Sequence, residues 1–178
     1  MKITQKIGIS LIAAVCVTVG IVGVSSAQSP LMTDEQIERI RSNCVVAKNT
    51  LNQLHTSDAL LRVNRGQIYE YMSTKLMDRF NGRASSNRFE VTDLTSAAQT
   101  YSSALATFRL SYQSYEEQLS KALAIDCRKE PVSFYDAVAS ARTKRTQVYV
   151  DVVKLHQHID EYRSTVDAFE VNFQKDDQ

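Results

Sequence analysis

Residues 94–127 read LTSAAQTYSSALATFRLSYQSYEEQLSKALAIDC, and this stretch decides the fold. Its apolar positions step alternately by four and three: Leu94, Ala98, Tyr101, Leu105, Phe108, Tyr112, Tyr115, Leu119, Ala122. Every slot is apolar or aromatic, the seam of a helix that packs along its whole length on partner helices. The stretch ends at Cys127, and Cys44 is the cysteine placed to pair with it.

Two further ladders flank it. Upstream, Thr33 to Gln36 forms a capping box, Thr33 as N-cap and Gln36 at the third helical position. A ladder follows through Ile37, Ile40, Cys44, Ala47, Leu51, Leu54, Asp58, Leu61, Arg65, Ile68 and Met72. It shifts phase through Leu76 and Phe80 and stops at Asn81-Gly82, a C-cap pattern. Such a helix spans roughly 70 Å at 1.5 Å per residue. His55-Thr56-Ser57-Asp58 could cap a new helix there, and Gly66 weakens the run further. Downstream, residues 83–92 read as a polar loop with Thr92 or Asp93 as the next N-cap, and Pro131 opens a third helix as a first-turn proline. Its seam is Phe134, Val138, Ala141, Arg145, Val148, Val152, Leu155, Ile159, Tyr162, Val166, Phe169 and Phe173, with Arg145 its only charged member.

The expected fold is all-α: an elongated antiparallel three-helix coiled-coil bundle over residues 33–175, with helices 33–81, 93–127 and 131–174 and a disordered tail at 176–178. A break near 56–58 would instead give a four-helix bundle.

Equal rise along antiparallel helices makes facing residue numbers of the first two add to about 173. Cys44 and Cys127 therefore fall at one level, within disulfide reach. On the same map, residue i of the first helix lies near i plus about 87 of the third. Arg145 then meets Asp58, one of two charged residues on the first seam, with Tyr112 and Tyr115 nearby. Such a polar core layer more often sets register than performs catalysis. Arg65, the other charged residue on that seam, is expected to reach toward Asp151.

At the N-terminus, Lys2 and Lys6 precede an uncharged run from Ile7 to Val24, then Ser25-Ser26-Ala27. This is an export pattern, with residues 1–27 either a signal peptide cleaved after Ala27 or an uncleaved membrane anchor through residues 7–24, and 28–32 a linker. An exported, extracytoplasmic chain, membrane-anchored or secreted, can keep a disulfide. Taking Lys2 and Lys6 from the 21 Lys+Arg leaves 19 against 20 Asp+Glu, so a processed chain is near neutral and carries no electrostatic footprint for nucleic acid.

The chemistry-bearing residues do not converge. His156 and His158 point to different sides of one helix and His55 maps far from both, so no metal site is expected. No haem-attachment, nucleophile-elbow, phosphate-loop or zinc-protease motif is present, so no cofactor and no enzyme activity are expected. Arg79, Arg83 and Arg88 gather at the hairpin tip, a basic end for a protein partner or an anionic surface polymer.

Cys44, the run Leu60-Leu61-Arg62-Val63-Asn64-Arg65-Gly66-Gln67-Ile68-Tyr69-Glu70, Cys127 and the run Pro131-Val132-Ser133-Phe134-Tyr135-Asp136-Ala137-Val138 together resemble uncharacterised exported helical envelope proteins of ultrasmall, reduced-genome bacteria. The resemblance covers most of residues 44–165 and implies an envelope or surface setting, with no activity attached. The leading functional expectation is a disulfide-stapled helical stalk presenting its hairpin tip to a partner. The alternative is an extracytoplasmic binding module, ligand-sensing or chaperone-like, and a cavity at the Asp58/Arg145 layer would favour it.

Overall fold

The computed structural model describes residues 32–176, so the export segment expected at 1–27 and the end of the tail lie outside the described residues. Among the described residues the chain is a helical bundle with no strand. Its elements are α1 (Asp34–Ser42), α2 (Cys44–Tyr71), a π-helical turn (Met72–Met77), α3 (Asp78–Ser86), α4 (Thr92–Ala124) and α5 (Pro131–Asp176).

α4 is the element that the others pack on. Leu94, Ala98, Tyr101, Leu105, Phe108, Tyr115, Leu119 and Ala122 are all buried, and Tyr112 is half-buried. The apolar ladder is therefore core because each of its steps turns the next side chain onto the same face. α4 packs extensively on α5, whose Phe134, Ala141, Leu155 and Tyr162 are buried. α2, the π turn and α3 also lie on α4.

The first helical run begins as its cap residues dictate. Thr33 Oγ1 accepts from the Gln36 backbone N–H at 3.3 Å, and the Thr33 N–H donates to Gln36 Oε1 at 2.8 Å. No break occurs at 56–58, which corrects that alternative: α2 runs straight through. The Thr56 hydroxyl donates to the Asn52 carbonyl inside the helix instead of capping a new one. The interruptions lie elsewhere. Asn43 turns out of helical geometry just before Cys44, its side-chain amide donating to the Arg39 carbonyl at 2.9 Å. The second interruption is the π turn, a one-residue surplus of the kind that re-aims the faces of a helix.

The helix does not stop at Asn81-Gly82 either. Asn81 is buried and holds three elements together: its Nδ2 donates to the Leu94 carbonyl at 3.0 Å and its Oδ1 accepts from the Tyr162 hydroxyl at 2.7 Å. The stop comes at Asn87–Phe89. There Arg88, at φ 65°, takes the left-handed position, its N–H donating to Ser85 O and the Phe89 N–H to Ala84 O. That is a Schellman closure with arginine where glycine is usual. At the far end α4 stops at Ala124, short of the expected 127. Asp126 builds the turn, accepting from the backbone N–H groups of Arg128, Lys129 and Glu130.

Cys127 sits in that turn, fully buried, and is disulfide-bonded to Cys44 with 5.6 Å between Cα atoms. Phe134 shares this small core, with Ile40, Ala47, Leu51 and Val138 around it. Lys48 Nζ donates to the Ile125 carbonyl at 3.0 Å beside it.

Candidate functional site

Up to Asp58 the buried or half-buried face of the first run follows the sequence ladder, and beyond it the face slides. The ladder predicts Leu61, Arg65, Ile68 and Met72; Met72 is half-buried against the core, but Leu61, Arg65 and Ile68 are exposed and the side that is turned in carries Arg62, Gly66, Tyr69, Ser73 and Met77. The cause is geometric. A 3.5-residue ladder on a straight helix drifts about 20° per heptad, so the apolar stripe winds off the core. Leu61 and Ile68 end up 51% and 56% exposed.

α2 and α5 stand apart along the whole of α2: no Cα of one comes within 8 Å of a Cα of the other. Long side chains bridge the gap instead. Arg145 Nε donates to Asp58 Oδ2 at 2.7 Å and its Nη2 to Oδ1 at 3.0 Å, a bidentate pair. The Tyr115 hydroxyl of α4 donates to Asp58 Oδ2 at 2.7 Å. About three helical turns further along, the Tyr69 hydroxyl meets His156 Nε2 at 3.0 Å. Behind it the Tyr101 hydroxyl donates to the Tyr69 carbonyl at 3.0 Å.

The Asp58 side chain is only 9% exposed while that of Arg145 is 49% exposed, so the carboxylate is buried and the guanidinium faces outward. Burial alone would raise the Asp58 pKa. The hydrogen bonds from Arg145 and Tyr115 and the guanidinium charge outweigh it and hold the carboxyl below its ordinary value. Burial and the hydrogen bond to Asp58 push the Tyr115 phenol well above its usual value. Tyr112, expected in this layer, does not touch Asp58. Its hydroxyl donates to Glu116 Oε1 at 2.8 Å, and the other oxygen of Glu116 is 2.9 Å from His55 Nε2. Arg65 does not reach Asp151, because that carboxylate faces α4, beside Ser103 and Thr107, rather than α2. Gln147 donates to Asp151 Oδ1 at 2.9 Å, and Oδ2 is buried without a partner.

Over the Asp58–Arg145 layer lies a cleft of about 250 Å³. α4 floors it with Phe108, Tyr112 and Tyr115. α2 walls it with Leu61, Arg62, Arg65 and Tyr69, and α5 with Val148, Tyr149 and Val152. A second cleft of about 350 Å³ shares Arg65 and Tyr69 with the first and extends to Met72 and Asp160. The Arg62 guanidinium stands 5.5 Å from the Tyr112 ring centroid and 6.0 Å from that of Phe108, against the face of Gly66 where no Cβ intervenes.

No protein-family model, curated protein or solved structure matches the chain, so the site must be read from its own chemistry. The lining combines apolar walls, aromatic faces and cations, and its single carboxylate already holds three hydrogen bonds. No group of three or more metal-ligating side chains forms among the described residues, and the three histidines make separate contacts with Glu116, Tyr69 and Glu161.

The tip residues lie apart from this cleft. Arg79 and Arg83 are exposed on α3 and Arg88 is in the turn, none in an ion pair among the described residues. Phe89 of the same turn stacks edge-on against Phe169 and Phe173 of α5.

Sequence reasoning named the Asp58/Arg145 layer only as the place where a cavity would count, and gave Asn81 and Asp151 other roles, a helix stop and a partner for Arg65. Tyr69 was visible as a tyrosine off the seam, and its neighbour Gly66 as a glycine with no turn to make. Together they mark where the packed face moves.

Proposed function

We propose that the protein is an exported, non-enzymatic binding module that receives its ligand or client in the cleft between α2 and α5. The supporting observation is the cleft itself, between helices that stand apart and are crosslinked by the Asp58–Arg145 pair and, about three turns along, by Tyr69 and His156. A site held by crossing polar side chains is preformed, and preformed clefts lose less entropy on binding.

In this reading the chain is an antiparallel three-rod coiled coil: α1 through α3 form one rod, α4 and α5 the others. Export rests on the residue 1–27 pattern, with residues 7–24 as anchor or the chain cleaved after Ala27, in an envelope setting. The Cys44–Cys127 bond is compatible with an oxidising compartment.

A second reading, the surface stalk, is favoured by the unpaired Arg79, Arg83 and Arg88 beside the Phe89 cluster. A photo-crosslinking amino acid at Tyr149 or at Arg83, in the producing cells, separates the two. The binding-module reading expects adducts from position 149 and none from 83. Adducts from 83 alone would replace it with the stalk.

A further inference from the structure

Resting on the binding-module reading, we infer that the α2–α5 cleft takes one amphipathic α-helix of a partner protein, with acidic residues along the flanks of its apolar stripe. Three observations point to this occupant. The first is the uncovered ladder: Leu54, Leu61 and Ile68 recur every seven residues on α2, a seam spacing, and the last two stand exposed. Tyr149, 68% exposed, faces the same cleft from α5. An exposed stripe at heptad spacing opposite an exposed aromatic is a helix-in-groove arrangement.

The second is dimension. The two joined clefts run from the level of Asp58 to that of Met72, about 21 Å, or four turns of helix. Their walls are helices that already stand apart, so the entering helix would complete a bundle rather than force one open.

The third is charge. Arg62, Arg65 and Arg145 line the first cleft against Asp58 alone, and Asp58 is engaged by Arg145 and Tyr115. Neither Arg62 nor Arg65 has a carboxylate within ion-pair distance among the described residues; Asp160, in the second cleft, is not within 4.0 Å of Arg65. Two uncompensated guanidiniums beside apolar walls attract acids and repel a second copy of this same face. That selects an acidic partner over self-association.

The test uses the disulfide-bonded chain and fluorescein-labelled synthetic peptides of about 22 residues, roughly six turns of helix and so long enough to cover the cleft. Both carry leucine at the seam positions; one has glutamate on both flanks and the other lysine. Fluorescence anisotropy is expected to show saturable one-to-one binding of the glutamate peptide, with the lysine peptide at least about 10-fold weaker. Leu61→Ser with Ile68→Ser should weaken the glutamate peptide by about 10-fold or more while circular dichroism stays unchanged. Arg62→Glu with Arg65→Glu should reverse the preference between the peptides. Equal binding of both peptides, or a preference indifferent to Arg62→Glu with Arg65→Glu, overturns the inference. So does binding of dodecanoate or anilinonaphthalene sulfonate in the cleft without binding of the glutamate peptide, an outcome that leaves the binding-module reading standing. If neither peptide nor either small anion occupies the cleft, both readings fail.

Discussion

Replacing Cys44 and Cys127 together by alanine should cost the fold about 4 to 5 kcal/mol. The separation of 83 residues sets that figure through the chain-entropy estimate, in which the crosslink removes loop-closure freedom from the unfolded chain. Alanine is the right replacement because both thiols are buried among Ile40, Leu51, Phe134 and Val138, where a serine hydroxyl would add its own desolvation cost. Small residual cavities add to the loss rather than offset it. For a chain of this length the melting temperature should fall by roughly 10–18 °C. Chemical denaturation and thermal melting of the parent and the double alanine variant, each followed by far-ultraviolet circular dichroism, give the two numbers. Reductant added to the parent should reproduce the change. A double variant within about 1 kcal/mol of the parent would refute the reasoning, because the bond would then constrain nothing that the helices do not already hold.

Other perturbations read other parts of the account. Asp58→Asn leaves the Arg145 guanidinium half-exposed but unpaired and should cost about 1–3 kcal/mol by urea unfolding. The Asp58 pKa is depressed in the folded state, so its contribution is present above the unfolded value near 3.9 and is lost as pH falls through the folded value. The parent should therefore lose its margin over Asp58→Asn on acidification below about pH 4, and a constant margin would contradict the pairing. Arg88→Gly relieves a left-handed arginine and should raise stability by about 0.5–1 kcal/mol in the same assay. Tyr162→Phe removes the donor to buried Asn81 Oδ1 and should destabilise by about 1–2 kcal/mol. No loss would mean that water replaces the hydroxyl.

What could be read in advance follows the regularity of each rod. The α4 seam is complete, so it announces both the helix and its burial, and a level map from it brings Cys127 to Cys44. Asp58 and Arg145 stand out because each interrupts an apolar ladder, and the same map places them opposite each other, where the structure pairs them. The map reads one tyrosine too many into that layer: Tyr112 and Tyr115 lie three apart on α4, and only Tyr115 reaches Asp58. Beyond Asp58 the reading fails for a physical reason. A ladder of residue types cannot report how far a helix unwinds to follow it, so the drift that exposes Leu61 and Ile68 was invisible. Asn81 reads as a stop because asparagine before glycine usually is one, yet its amide serves two neighbouring helices. The π turn carries no residue signature of its own in Met72–Met77.

The most direct measurement is methyl-resolved nuclear magnetic resonance of the disulfide-bonded chain titrated with anilinonaphthalene sulfonate, an apolar aromatic anion. The account predicts shifts that saturate together at Leu61, Val148 and Val152, the methyl-bearing walls of the cleft. Shifts confined to exposed methyls outside it, such as those of Leu110 and Val171, would contradict it.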